Sequence, residues 1–375
     1  MYDVLIIGAG IVGAASADVL ARAGRRVLVV DPNPFSGATA AGMGHIVVLE
    51  DDPATLAMTA RGRVLWEELR KELPQAAEFE TTGTLWVAET ADEFEAGCAK
   101  RATLASAGIA AEIVSAAELR RLEPELREGL VGGVLVPGDR VVYPPVCTQW
   151  LLDRARAAGA EIRTSSTGAR VVGVRTGHAL LSDGTRLEAD VVLVAAGVDS
   201  PALLPDPSVA PIRPRKGHLV ITERAPGFCT RQIVELGYQQ SAHGAANRSV
   251  AFNVQPRATG QVLIGSSRQY GVVDPAVDRD VAAEMLRRAL KFLPRLRELL
   301  VTRTWTGFRP STPDKLPLIG PVPGLPQVFL AAGHEGLGIT TAPFTAELVA
   351  HHLLGRPAPV APAAFLPSRF ALTPE

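Results

Sequence analysis

The chain has 375 residues, 47% of them hydrophobic and 21% charged, which is enough material for a sizeable core and for roughly two or three domains. A formal net charge of −1 gives no pull toward nucleic acid or an acidic membrane surface, and it argues against chemistry on nucleosides in RNA. Cys98, Cys147 and Cys229 stand far apart, with no CxxC pair and no histidine at zinc-ligand spacing, so neither a disulfide framework nor a metal site is indicated.

The first thirty-one residues, MYDVLIIGAGIVGAASADVLARAGRRVLVVD, set Gly8, Gly10 and Gly13 between an apolar run and a small-residue helix, then close on Asp31 after a second apolar run. This is the strand, glycine turn, helix and strand of a dinucleotide-binding unit. Gly8 allows the tight turn, Gly10 lets backbone approach a pyrophosphate, and Gly13 lets helix and sheet pack closely. The diphosphate is expected on the helix N-terminus, where N–H groups and the dipole favour anions. Asp31 is placed to accept from a ribose 2′-hydroxyl and to repel a 2′-phosphate, which favours an adenosine ribose over NADP. The opening run lacks a basic n-region and a cleavage site, and no stretch reaches the roughly twenty apolar residues of a membrane helix. A cytoplasmic setting is therefore expected.

Ser36 to Gly44 (SGATAAGMG) is too poor in side chains to form core and reads as backbone laid against a ligand. A polar helix is expected over Pro53 to Leu73, then TTGTLWVAE as a strand that enters a second domain. Pro144 to Ala158 reads as an amphipathic helix, Glu161 to Arg163 and Ala169 to Val174 as strands, and Asp183-Gly184 as a hairpin turn. ADVVLVAAG then returns as a buried strand ending in Ala195-Ala196-Gly197, either a close approach to the nucleotide or a tightly packed strand end. Taken with the N-terminal motif, this favours a discontinuous FAD domain over an NAD domain. Between Pro211 and about Gly307 come HLVIT, SVAFNV and QVLIGSS, interrupted by a basic helix near Val281 to Leu293, as in a strand-rich substrate domain. The proline-rich tail after Gly355 reads as a surface wrap.

In this order GAGIVG, TAAGMG, VAAG, RPSTPDKLPLIGP and AAGHEGLGIT resemble the FAD-dependent D-amino-acid oxidase and glycine oxidase superfamily over nearly the whole chain. Within it, MGHIVV and GHEGLGIT look most like the flavin subunit of bacterial D-hydroxyproline dehydrogenases, whose relatives include hydrogen cyanide synthase subunits and opine oxidases. The resemblance implies an α/β plus α+β architecture. A discontinuous Rossmann-like FAD-binding domain (1–80, 139–210, 325–375) would accompany a mixed β-sheet substrate domain (81–138, 211–324) that covers the flavin ring. FAD is expected to be non-covalent, because no cysteine matches the position that links flavin in sarcosine oxidase-like relatives, where Gly307 stands.

The cofactor set implied comprises Gly8, Gly10, Ile11, Val12 and Gly13 in the turn, Asp31 and Pro32 after the second strand, and Thr39, Ala40, Ala41, Gly42, Met43 and Gly44. Arg170, Val171, Ala195, Ala196 and Gly197 follow, then Gly333, His334, Glu335, Gly336, Leu337, Gly338, Ile339 and Thr340 beside the flavin pyrimidine. A helix N-terminus there would stabilise charge near N1 and the C2 carbonyl. Arg309 in FRPSTPD matches the arginine that holds the substrate carboxylate in glycine oxidase-like enzymes, as a guanidinium fork can through two charge-assisted hydrogen bonds; the bland reading is a surface or structural ion pair. Glu335 either faces the pocket and receives the substrate ammonium or is an ordinary first-turn acid. His45 either bonds to N5, the amine or a pocket water, or is a satisfied, partly buried histidine. Asn253 stands where glycine oxidase-like enzymes present a tyrosine, which enlarges the pocket and fits a ring-bearing substrate better than glycine. Tyr238, Arg215 and Lys216 are further lining candidates.

The implied reaction is oxidation of a C–N bond next to a carboxylate by hydride transfer to flavin N5, with D-proline or cis-4-hydroxy-D-proline giving a Δ1-pyrroline carboxylate. Two alternatives stand beside it: a glycine, sarcosine or opine-type amine oxidase, and an FAD-carrying subunit active only in a hetero-oligomer. The electron acceptor stays open between oxygen, a quinone and a partner's iron-sulfur centre.

Overall fold

The computed structural model describes residues 1–33, 35–164, 169–237 and 248–370, so Tyr238 lies outside the described residues. The chain divides into one unit of residues 1–77, 143–214 and 308–375 and another of residues 78–142 and 215–307.

The first unit opens with β1 (Tyr2–Ile7), α1 (Ile11–Arg22) and β2 (Val27–Asp31), the elements expected from the glycine spacing. A single helical turn, Ala38–Ala41, and a short strand, His45–Ile46, lead to α2 (Pro53–Leu69). Asp52 caps α2, its carboxylate accepting from Ala54 and Thr55 N–H, with Pro53 in the first turn, where no N–H is needed. The α-helix stops at Leu69, short of the expected Leu73, because Arg70–Glu72 tightens into a 3-10 turn.

The chain enters the second unit through β3 (Thr84–Ala88), α3 (Ala91–Ser106), β4 (Glu112–Ser115), α4 (Ala116–Leu122) and β5 (Gly132–Val136). The first unit resumes with α5 (Pro144–Ala157), β6 (Glu161–Thr164), β7 (Val171–Arg175), β8 (His178–Leu181) and β9 (Arg186–Val194). The turn at Asp183-Gly184 closes the β8–β9 hairpin, with Gly184 at φ +88°. Next come β10 (Arg213–Arg224), β11 (Gln232–Glu235), β12 (Arg248–Pro256), β13 (Gln261–Tyr270), α6 (Arg279–Phe292) and β14 (Val301–Ser311). The chain finishes with β15 (Leu318–Pro321), β16 (Val328–Ala332) and α7 (Gly338–Leu354).

In the first unit the sheet runs β15-β16-β9-β1-β2-β6, with β7 and β8 as an antiparallel flap on β9. From β16 to β6 the strands are parallel, and Ile6 of central β1 lies opposite both Leu193 and Val29. Parallel strands covered on both faces need continuous apolar runs, which is why VLII, VLVV and VVLV carry no alternation. Leu5, Leu28, Val192 and Leu330 are completely buried in this core. The third segment of the unit starts at Phe308 rather than at 325 as the sequence suggests, because β15 pairs antiparallel with β16 at the sheet edge. The proline-rich tail is more than a surface wrap, since Phe365 is buried and packs edge-on against Phe344 of α7.

In the second unit an eight-stranded sheet runs β14-β10-β13-β12-β11-β3-β5-β4. One face carries Leu85, Ile233, Val254 and Ile264 into a core with α6, where Phe252 stacks on Phe292 at 4.2 Å between ring centroids. By register, Trp86, Val234 and Asn253 sit side by side on the other face.

Candidate active site and cofactor cradle

The turn between β1 and α1 is built for close backbone approach. Gly8 has φ +107°, and a Cβ there would stand 2.4 Å from the Ala195 carbonyl oxygen; one on Gly13 would stand 2.0 Å from that of Gly8. Neither neighbour is a flexible side chain, so both positions require glycine. Ala195 N–H donates to Ile7 O at 2.8 Å, which binds the end of β9 to the start of the turn. Gly10 is the N-cap of α1, offers no side-chain cap and is followed by no acidic residue in the first turn. Ile11 N–H donates to Thr39 Oγ1 at 3.1 Å, and Asp31 accepts from Ala9 N–H at 2.7 Å through Oδ2 and from Asn33 N–H at 2.8 Å through Oδ1. Gly8, Gly10, Ile11, Gly13, Asp31, Thr39 and Ala195 are thus brought together. A cradle that side chains would fill, at the N-terminus of a helix with no acid in its first turn, fits the diphosphate of a dinucleotide.

Val12 lies within α1 and Pro32 just beyond β2, while Ala40 and Ala41 close the short turn that leads through Gly42, Met43 and Gly44. Ala196 and Gly197 begin a 3-10 turn after β9. Arg170 and Val171 stand at the head of the flap, where Arg170 is exposed, its carbonyl accepting from Ser182 N–H at 2.8 Å and its N–H donating to Ser182 Oγ at 3.2 Å.

A second loop, Gly333 to Leu337, joins β16 to α7. Glu335 N–H donates to Pro310 O at 2.8 Å, which places the loop against the segment carrying Arg309; a Cβ on Gly336 would lie 3.9 Å from Cδ and Nε of that arginine. Arg309, Glu335 and Gly336 therefore form one cluster. Glu335 adopts φ +49°, a left-handed conformation uncommon for residues other than glycine, and its Oε2 accepts from Gly336 N–H at 2.9 Å. It is not a first-turn acid: α7 begins at Gly338 with Leu337 as N-cap, and its first turn holds no acidic residue.

Thr340 ties the histidine segment to this helix, donating from Oγ1 to His45 O at 3.0 Å and accepting from Val47 N–H at 3.2 Å. His334 points the other way, into the core. It is buried, its Nε2 lies 2.9 Å from Thr345 Oγ1, and burial pushes its imidazole down to about 3. The ring is neutral at ordinary pH, so His334 contributes to the loop through its backbone. Two residues absent from the sequence reading also meet this turn: Trp66 Nε1 donates to Ile339 O at 2.8 Å, and a Cβ on Gly62 would lie 2.3 Å from Thr340 O. The available signal was Pro343, a helix-interior proline four residues after a carbonyl that then needs another donor.

In the second unit Asn253 is buried in β12, and Arg215 lies over the Tyr270 ring at 4.6 Å. Lys216 Nζ donates to Ala276 O at 2.6 Å, which gives that lysine a structural role. Burial pushes the Cys229 thiol far up, so it is an inert core group. Among the described residues no cluster of histidine, cysteine and acidic side chains could hold a metal ion, and no helix is long and apolar enough to cross a membrane.

The fold and cradle define a class, and residues 3–352 match the family model described as FAD dependent oxidoreductase (DAO). The chain belongs to this family: it is an FAD-dependent oxidoreductase with the family's Rossmann-like cofactor domain. It is 30% identical to glycine oxidase of Pseudomonas aeruginosa, covering 96% of this chain and 98% of the relative. It is 26% identical to hydrogen cyanide synthase subunit HcnC of the same species, over 100% and 97% of the two chains. The crystal structure of iminodiacetate oxidase (IdaA) from Chelativorans sp. BNC1 superposes with a TM-score of 0.82 at 27% identity, covering 97% of this chain and 98% of that one.

Proposed function

We propose that the protein oxidises the C–N bond of a small amino or imino acid, with D-proline or cis-4-hydroxy-D-proline as the substrate class and a Δ1-pyrroline carboxylate as product. The observation that carries the reading is the placement of Arg309 against the Glu335-Gly336 loop that leads into α7. FAD, when bound, supplies the hydride acceptor. The chain's own residues bind and orient. Arg309 holds the carboxylate through its guanidinium fork and so fixes the α-carbon. Glu335, held beside it, receives the substrate ammonium. The loop backbone and the first turn of α7 present N–H groups toward the flavin pyrimidine, where their dipoles favour negative charge. In the sequence Asn253 stands where glycine oxidase-like relatives carry a tyrosine, which favours a ring-bearing substrate over glycine. His45 stays a neighbour of the flavin, its segment fixed through Thr340. Similarity to relatives named for glycine and iminodiacetate supports amine oxidation next to a carboxylate.

The test is an anaerobic absorbance titration of the FAD-loaded protein with D-proline, cis-4-hydroxy-D-proline, their L-epimers, sarcosine, glycine and iminodiacetate. Bleaching by the cyclic D-imino acids alone supports the reading, and air admitted afterwards tells oxidase from dehydrogenase. Bleaching by glycine, sarcosine or iminodiacetate instead replaces it with an open-chain amine oxidase. No bleaching by any of them favours the second reading, an FAD-carrying subunit that works only in a hetero-oligomer, which the likeness to HcnC supports.

A further inference from the structure

Gly62 and Trp66, one turn apart on the same face of α2, both meet main-chain carbonyls in the first turn of α7. Trp66 is completely buried, and its indole donates to Ile339 O at 2.8 Å. The bare edge of Gly62 admits the Thr340 carbonyl, which a Cβ would meet at 2.3 Å. Pro343 explains why a donor is needed here. It lies inside α7, four residues after Ile339, and has no N–H to offer that carbonyl. Its ring also pushes the carbonyl outward from the helix. A buried carbonyl left without a donor is costly, so the donor has to come from outside the helix. The next residue, Thr340, is fixed as well, through His45 O and Val47 N–H.

We propose that Trp66 is a positioning residue of the flavin site. Its indole N–H replaces the donor that Pro343 removes and thereby sets the direction in which the first-turn N–H groups of α7 point. The proposal rests on the reading above for the place of the flavin, at that turn, and is independent of which amine is oxidised.

The test is a double-mutant cycle of Trp66→Phe and Pro343→Ala, read by the FAD dissociation constant from flavin fluorescence and by amide hydrogen exchange over 338–342 in the FAD-free protein. Phenylalanine keeps a ring in the core and removes the donor; alanine at 343 restores an intrahelical N–H to Ile339 O. Trp66→Phe alone is expected to raise the dissociation constant about tenfold and to speed exchange in the turn. In the Pro343→Ala background the same replacement is expected to change the constant less than about twofold. Equal losses in both backgrounds would mean that the indole acts only by packing and would overturn the proposal. Faster exchange with an unchanged dissociation constant overturns it too, by showing that the turn does not position the flavin. A wrong amine assignment leaves all of these values unmoved and shows only in the substrate titration.

Discussion

The carboxylate of Asp31 accepts the backbone N–H of Ala9 at 2.7 Å, so the residue expected to hold the ribose also ties the glycine turn to the end of β2. A charge-assisted bond of this kind is worth about 1.5–3 kcal/mol. Asp31→Ala removes it together with the bond to Asn33 N–H, and FAD affinity should fall by about tenfold to a hundredfold. Asp31→Asn, which keeps one acceptor oxygen, should lose less. Titration of the FAD-free variants by flavin fluorescence decides it; wild-type affinity in Asp31→Ala would remove Asp31 from the site.

The glycines divide by what surrounds them. Gly13 has the Gly8 carbonyl where a Cβ would go, whereas Gly24, at φ +80°, has nothing within 4 Å. Gly13→Ala must push α1 off the sheet, and should abolish FAD retention and lower the melting temperature sharply. Gly24→Ala should cost only the left-handed strain of about 1–2 kcal/mol and keep the cofactor. Thermal melts with and without FAD separate the two. Similar losses at both positions would mean that α1 gives way around the added methyl and that close packing does not decide Gly13.

These contrasts show what the sequence could carry. The glycine turn was legible because its constraints are local: GAGIVG, a small-residue helix and an acid at the end of the next strand together admit one geometry. The place of Arg309 beside Gly336 was legible only through resemblance, since they stand twenty-seven positions apart (336 minus 309) and no periodicity links them. The end of α2 and the start of the first unit's third segment were misplaced for a related reason. A 3-10 closure and an antiparallel pairing are settled by neighbours that a short window does not contain. Trp66 left no local signature at all, because its partner is a backbone atom 273 positions away.

Arg309 is the sharpest catalytic expectation. Replacing it by alanine should lower kcat/KM for the reactive amine by about two orders of magnitude or more, on the scale of a lost bidentate clamp. Lysine keeps the charge and loses the fork, so Arg309→Lys should recover part of the loss, mostly in KM. FAD content should not change in either variant. Steady-state kinetics on flavin-saturated protein check this, and near wild-type turnover by Arg309→Ala would assign the carboxylate to another group.

His334 gives the protein an acid-sensitive joint at the head of α7. Burial holds its imidazole at about 3, below the ordinary 6.5, so folding favours the neutral ring. That contribution is complete above pH 6.5, where the unfolded chain is neutral as well. It falls as acid protonates the unfolded histidine, and goes on falling until the folded ring titrates near pH 3. Over that window this one group can withdraw up to about 1.4 kcal/mol per pH unit. His334→Gln can keep a hydrogen bond to Thr345 but cannot titrate. Its stability should be lower than wild type at pH 8, through imperfect packing, and should fall less steeply between pH 6 and pH 4. Urea denaturation at pH 8, 6 and 4.5 measures both slopes. Parallel slopes would mean that the ring reaches solvent readily enough to titrate near its ordinary value, and that the acid sensitivity of the fold lies in other groups.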